Sequence, residues 1–150
     1  MLKDKRKLMT FTFKGYWKDV GTLASFHEAN LDVTTDNNIL KLYQGDSKKV
    51  FTEDLHSRPQ YIGKNGKITK SIVNQGATIL GEVESSVIFN DVYVDEGAKV
   101  TKSVLMPGCY IGKDAKVNNC IVAPSIKVHD KAKVNLSSKE VVLVSKEVLK

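Results

Sequence analysis

Arginine is almost absent from this 150-residue chain: Arg6 and Arg58 are the only two, so the 23 basic residues, set against 17 acidic ones for a net charge of +6, are nearly all lysine. Nucleic-acid binders gather arginine and aromatic side chains on one face. Here Lys64, Lys99, Lys116 and Lys133 are instead scattered along the chain, which reads as a solvated surface with no nucleic-acid partner. Cysteine is equally scarce. Cys109 and Cys120 form no C-x-x-C and read as reduced apolar filler in a cytoplasmic protein. His27, His56 and His129 are far apart, and without H-E-x-x-H they offer no metal cluster. The ten glycines make neither G-x-G-x-x-G nor G-x-x-x-x-G-K-[ST], so no phosphate loop is present. No apolar run reaches the length of a membrane span, and the charged N-terminus does not resemble a signal peptide. No membrane association is expected.

What the chain does have is a long repeat. Val83, Val100, Val117 and Val134 are seventeen residues apart, as are Val94, Ile111 and Val128, and the small-residue series Ala98, Ala115 and Ala132 keeps the same register. A shorter motif returns within it: Ile68-Thr-Lys-Ser-Ile-Val73, Val83-Glu-Ser-Ser-Val-Ile88, Val100-Thr-Lys-Ser-Val-Leu105 and Val117-Asn-Asn-Cys-Ile-Val122, with a first interval of fifteen and then two of seventeen. Fixed periods in this range mark solenoids. Seventeen divides into two steps of six and one of five, so each coil is predicted to be a triangle of three short strands with aliphatic columns inside. At about 4.8 Å per coil, about four coils make a prism on the order of 20 Å tall. Gly97, Gly108, Gly112, Asn90, Asp95 and Asp114 fall at the expected corners, where left-handed or locally capped backbone is needed. The fold class expected is a mainly β parallel solenoid.

The flanks read differently. Leu8 to Phe13 alternates and suggests a short strand with Met9, Phe11 and Phe13 on one face; Thr22 is a cap for a helix running to about Val33; Ile39 to Tyr43 and Lys49 to Phe51 are candidate short strands; and Arg58 to Ile62 leads into the first coil. Val141 to Val144 is a β-branched and leucine run able to cover the unpaired edge at the far end. Residues 1–55 thus form a small α/β piece and residues 56–150 the solenoid domain with its terminal strand and tail. His27 reads as a surface or interface residue. His129, at a coil corner, is the one feature pointing to a hexapeptide acyltransferase, and a purely structural solenoid is the third possibility. Asp19, beside Trp17 and just before the helix start, is the most suggestive carboxylate, able to hold Mg2+ only with ligands from elsewhere.

Gly15-Tyr-Trp-Lys-Asp-Val-Gly-Thr22 and Ser25-Phe-His-Glu-Ala-Asn-Leu-Asp32, with Arg58-Pro59, the coil motifs and Val142-Leu-Val-Ser-Lys-Glu-Val-Leu149, resemble the C-terminal portion of glucose-1-phosphate adenylyltransferases. The resemblance implies a left-handed β-helix behind a remnant of a nucleotidyltransferase domain. It also implies a role for Asp19 at the catalytic Mg2+ and for Trp17 at the glucose-1-phosphate pocket, both only in a full-length enzyme; the chain alone is expected to need no cofactor and to be inactive. Lys146 and Lys150 stand where the family gathers basic residues for an effector, sulfate or a phosphorylated sugar, while a β-helix arginine of some members is replaced near Pro124. Family members are tetramers, which implies self-association or association with other adenylyltransferase subunits, through apolar surface around Phe11, Phe13, Trp17 and Phe26.

Overall fold

The computed structural model describes residues 9–35 and 55–149. Its body is a three-walled parallel β-solenoid, each wall a five-stranded sheet built from every third strand. The first wall stacks Tyr61–Ile62, Thr78–Ile79, Tyr93–Val94, Tyr110–Ile111 and Lys127–Val128; the second stacks Lys67–Thr69, Glu82–Glu84, Lys99–Thr101, Lys116–Asn118 and Lys133–Val134. The third runs Ile72–Val73, Val87–Ile88, Val104–Leu105, Cys120–Val122 and Val142–Val144. Four turns separate the first rung from the fifth, as the repeat predicts.

The columns follow from the period. Ile68, Val83, Val100, Val117 and Val134 are register partners in succession, and so are Ile79, Val94, Ile111 and Val128. Their side chains point inward and, apart from the half-buried Ile68 of the first coil, are almost wholly withdrawn from water, together with Leu105, Val122 and the three alanines. Parallel stacking of like on like lets β-branched side chains pack without changing rotamer from coil to coil, which is why valine and isoleucine dominate the interior.

Each corner has its own chemistry. Between the second and third walls the turn is tightest, with Lys70, Ser85, Lys102 and Asn119 in the left-handed region at φ 44–48°. A serine follows the first three. Ser71, Ser86 and Ser103 each donate Oγ–H to a carbonyl two residues back, at 2.7 Å, and accept the backbone N–H of the equivalent residue one coil on, at 3.0–3.3 Å. The N–H groups that Oγ accepts have no backbone partner of their own, whereas the Thr69, Glu84 and Thr101 carbonyls also accept an N–H from the next coil. The column ends at Cys120, a poor acceptor, and there the next coil departs: seven residues, 135–141, precede the final strand of the third wall.

The other two corners have four residues, the third of which is left-handed at Gly76, Asp91, Gly97, Gly108, Asp114, Ser125 and Lys131. Gly97, Gly108 and Asp114 thus behave as the sequence implies. Asn90 and Gly112 do not: Asp91 takes the left-handed place beside Asn90, and Gly112 is needed because a Cβ would meet the Asp130 nitrogen at 2.6 Å. Asp95 caps by accepting the Glu96 N–H at 2.7 Å. One corner is shorter. Between Ile79 and Glu82 only Leu80 and Gly81 remain, which accounts for the interval of fifteen. The chain fits only because Gly81 has no side chain; a Cβ there would lie 2.4 Å from the Ala98 carbonyl oxygen.

Helix α1, Leu23–Asp32, lies outside the prism. Thr22 and Ser25 form a reciprocal capping box, so the start is where the sequence places it. His27 is the helix's buried residue, and its Nε2 bonds the Lys102 carbonyl at 2.7 Å, fastening the helix to the serine corner. Met9 to Phe13 forms no strand; among the described residues none pairs with it, and an unpaired strand has nothing to satisfy its backbone. The candidate strands at Ile39 to Tyr43 and Lys49 to Phe51 lie outside the described residues. Val142–Val144 does cover an edge, as the fifth rung of the third wall.

Candidate functional site

The segment before α1 alternates in its contacts. Tyr16 Oη donates to Asp32 Oδ2 at 2.8 Å, and Lys18 Nζ reaches the same oxygen at 2.9 Å and Glu28 at 3.0 Å. Even-numbered side chains therefore tie the segment along the helix, and the odd ones, Trp17 and Asp19, are left facing water. Burial opposes ionisation of Asp32, but the bonds from Lys18 and Tyr16 outweigh it and hold its pKa below the usual carboxylate range. Asp19 Oδ1 accepts the Gly21 N–H at 3.2 Å, a local turn that fixes its carboxylate just outside the helix start. Trp17 is 76% exposed, and Phe11 and Phe13 are exposed too; Phe26 is half-buried.

Asp19 supplies one fixed carboxylate. Among the described residues no group of three potential ligands converges anywhere, so these residues by themselves do not assemble a metal centre. The donor fits Mg2+ in kind, since a hard cation takes carboxylate oxygens and keeps several waters, but the other ligands have to come from outside these residues.

At the opposite end the tail closes back on the first wall. Val148 bridges Val128, its C=O accepts the His129 N–H at 2.8 Å, and its N–H donates to Lys127 at 3.1 Å. His129 Nε2 contacts Glu147 Oε1 at 2.5 Å. The histidine is thus engaged in holding the tail, which leaves it poorly placed as a free base for acyl transfer. Between the tail and the last rungs runs an open groove of about 650 Å³, lined by Lys146, Lys133, Val134 and Leu149. Lys146 is exposed there, as the sequence implies; Lys150 lies outside the described residues. Lys133 was legible only as one of many solvated lysines, because its place on the groove depends on where the tail folds back. No helix among the described residues is long and apolar enough to cross a membrane.

Residues 57–141 match the family model described as GlmU-like, C-terminal hexapeptide. The chain belongs to that family. Its similarity to curated relatives is narrower still: it is 42% identical over 100 residues to a glucose-1-phosphate adenylyltransferase of Bacillus cytotoxicus, covering 67% of this chain and 26% of the relative. Enzymes of the same name from Clostridium acetobutylicum and Bacillus thuringiensis are 44% and 41% identical over 102 and 100 residues, with the same coverage. The chain therefore spans about a quarter of the length of these relatives. The family resemblance is borne out by these matches.

Proposed function

We propose that this chain is the oligomerisation and regulatory portion of a glucose-1-phosphate adenylyltransferase, acting in the cytoplasm in glycogen biosynthesis and unable on its own to form ADP-glucose from ATP and glucose-1-phosphate. The observation that carries the reading is the 41–44% identity to enzymes of that name over 67% of this chain and only 26% of their length. Forming ADP-glucose requires a site that grips the nucleotide phosphates, and these 150 residues have no glycine-rich phosphate loop.

On this reading the exposed strip of Phe11, Phe13 and Trp17 is covered by a nucleotidyltransferase domain or another subunit, and Asp19 contributes one carboxylate to a Mg2+ completed there. The metal, when bound, neutralises charge on the transferring phosphoryl group. Trp17 would present an apolar wall to the sugar phosphate. The groove beside Lys146 and Lys133 would take sulfate or a phosphorylated sugar as effector. The test is pyrophosphate release from ATP and glucose-1-phosphate by the isolated chain. No turnover is expected; measurable turnover overturns the reading. Light scattering should show self-association of the chain, and a clean monomer at high concentration removes the oligomerisation role.

A further inference from the structure

The shortened corner at Leu80-Gly81 breaks a hydrogen-bond rule that the rest of the solenoid keeps. At six four-residue corners the third residue donates its N–H to the carbonyl of the second corner residue one coil back: Gly76 to Arg58, Asp91 to Gln75, Gly108 to Asn90, Ser125 to Pro107, Asp114 to Glu96 and Lys131 to Lys113, at 2.5–3.2 Å. Gly97 holds the same corner place and the same left-handed backbone, at φ 70°. The coil before it lacks the residue that would accept. On the far side the Lys64 carbonyl, equivalent to those of Glu96 and Lys113, lacks the residue that would donate. One rung of the ladder is missing, with a donor below the gap and an acceptor above it.

The gap is a real space. A notch of about 490 Å³ opens between the corner tips at Lys64-Asn65 and Glu96-Gly97, with Leu80 and Gly81 as its floor. Lys64, Lys67 and Lys99 line it, facing Glu82 and Glu96. The charges do not cancel. Glu82 is shared by Lys99 at 3.0 Å and Lys67 at 3.7 Å, Glu96 is drawn to Lys113 at 3.2 Å, and Lys64 has no ion pair among the described residues.

We propose that this notch binds a small phosphorylated polyhydroxy compound. Its phosphate takes the Gly97 N–H and the lysine ammonium groups, and its hydroxyls donate to the Lys64 carbonyl and the Glu96 carboxylate. A backbone N–H joined by ammonium groups is the arrangement that charge-assisted recognition of an oxyanion uses, and the exposed Gly97 donor and Lys64 acceptor, free of ladder bonds, are open to a ligand carrying both functions. The volume suits a small metabolite. The site is separate from the tail groove and does not depend on the family reading.

The experiment titrates the 15N-labelled full chain with inorganic phosphate and, separately, with glycerol 3-phosphate. The Gly97 amide should move downfield and saturate with both, and glycerol 3-phosphate should bind more tightly. Lys64→Gln combined with Lys99→Gln should weaken binding on the order of tenfold. A variant with two residues inserted between Leu80 and Gly81, restoring the length of the neighbouring corners, should fold and lose the saturable shift. A Gly97 amide that stays put, or equal binding by the refilled variant, would mean adventitious anion contact with surface lysines and overturn the site. Unchanged affinity in the double lysine variant overturns it too, even if the insertion prevents folding. Equal affinity for the two ligands removes the hydroxyl-recognition half of the proposal.

Discussion

Single residues hold this fold through small polar bonds as well as through the aliphatic interior. Ser103 illustrates it: its hydroxyl donates to Thr101 and accepts the Cys120 N–H, and it is fully buried. Ser103→Ala leaves the buried Cys120 N–H unpaired, while the Thr101 carbonyl keeps the Asn119 N–H at 3.1 Å, and is expected to cost about 1–3 kcal/mol in denaturant unfolding. A cost near zero would show that the corner holds without its ladder. Tyr110 gives a pH prediction. Its bond to the Asp95 carboxylate at 2.8 Å is the main cause that lifts its phenol from 10.0 to about 12, with burial adding to it. Because the folded value lies above the unfolded one, the stabilisation is complete below pH 10 and is lost as pH rises through about 12. Phenolate absorbance should show Tyr110 among the late-titrating tyrosines, and Asp95→Asn should move it back towards 10; no change would place the cause elsewhere. At this scale the sequence was informative about the interior and silent about part of the corners. Spacing alone stacks Val100 on Val117, whereas Lys70 and Lys102 carry left-handed backbone that nothing in a lysine side chain announces. The recurring serine after them was the available signal.

Helix α1 depends on its docking more than on its own propensity, since ten residues are marginal as an isolated helix. His27 fastens it to the Lys102 carbonyl, and Lys18 with Tyr16 ties the preceding segment to its last residue, Asp32. His27→Ala should remove about 1 kcal/mol from that docking and raise amide exchange over residues 23–32 while the coil amides stay protected. Equal exchange in the wild type and the variant would show that the histidine is a bystander. The Asp32 contact has its own acid limit. Its folded pKa is depressed, so its contribution is present above the ordinary carboxylate value and falls away as pH drops through the folded one. Helix amides should therefore lose protection in acid before the coils do. The helix and its cap were legible because Thr22 and Ser25 are local signals, but the partner of His27 lies 75 residues away, beyond what any local pattern can show. The side on which Trp17 and Asp19 emerge was hidden for the same reason, being decided by where Tyr16 and Lys18 are anchored.

For the molecule as a whole, in-register stacking has an electrostatic cost. Outward on the second wall, Lys67, Glu82, Lys99, Lys116 and Lys133 are successive register partners, so three lysines at one end stand over one another with no carboxylate between them. Like charges so close repel, and salt screens them. Melting temperature should rise with added sodium chloride, and Lys116→Glu should raise it at low salt and flatten the salt dependence. A salt-independent wild type would show that these ammonium groups splay apart at no cost. The period made the architecture legible from end to end. Which corner lost two residues was not, because an interval of fifteen can be shortened at any of three places and only the strand positions single out Leu80-Gly81.

The stacked pair Tyr93 and Tyr110 lies in the first wall, with ring centroids 5.3 Å apart and planes within 11° of parallel, while the sole tryptophan, Trp17, stands in the open. Two chromophores of different kind thus report from different places without any label. Near-ultraviolet dichroism from the coupled phenols follows whether the middle coils are zipped, and indole emission follows whether anything has come to rest on the exposed strip. An assembly reaction monitored through both channels separates docking from unravelling in a single cuvette.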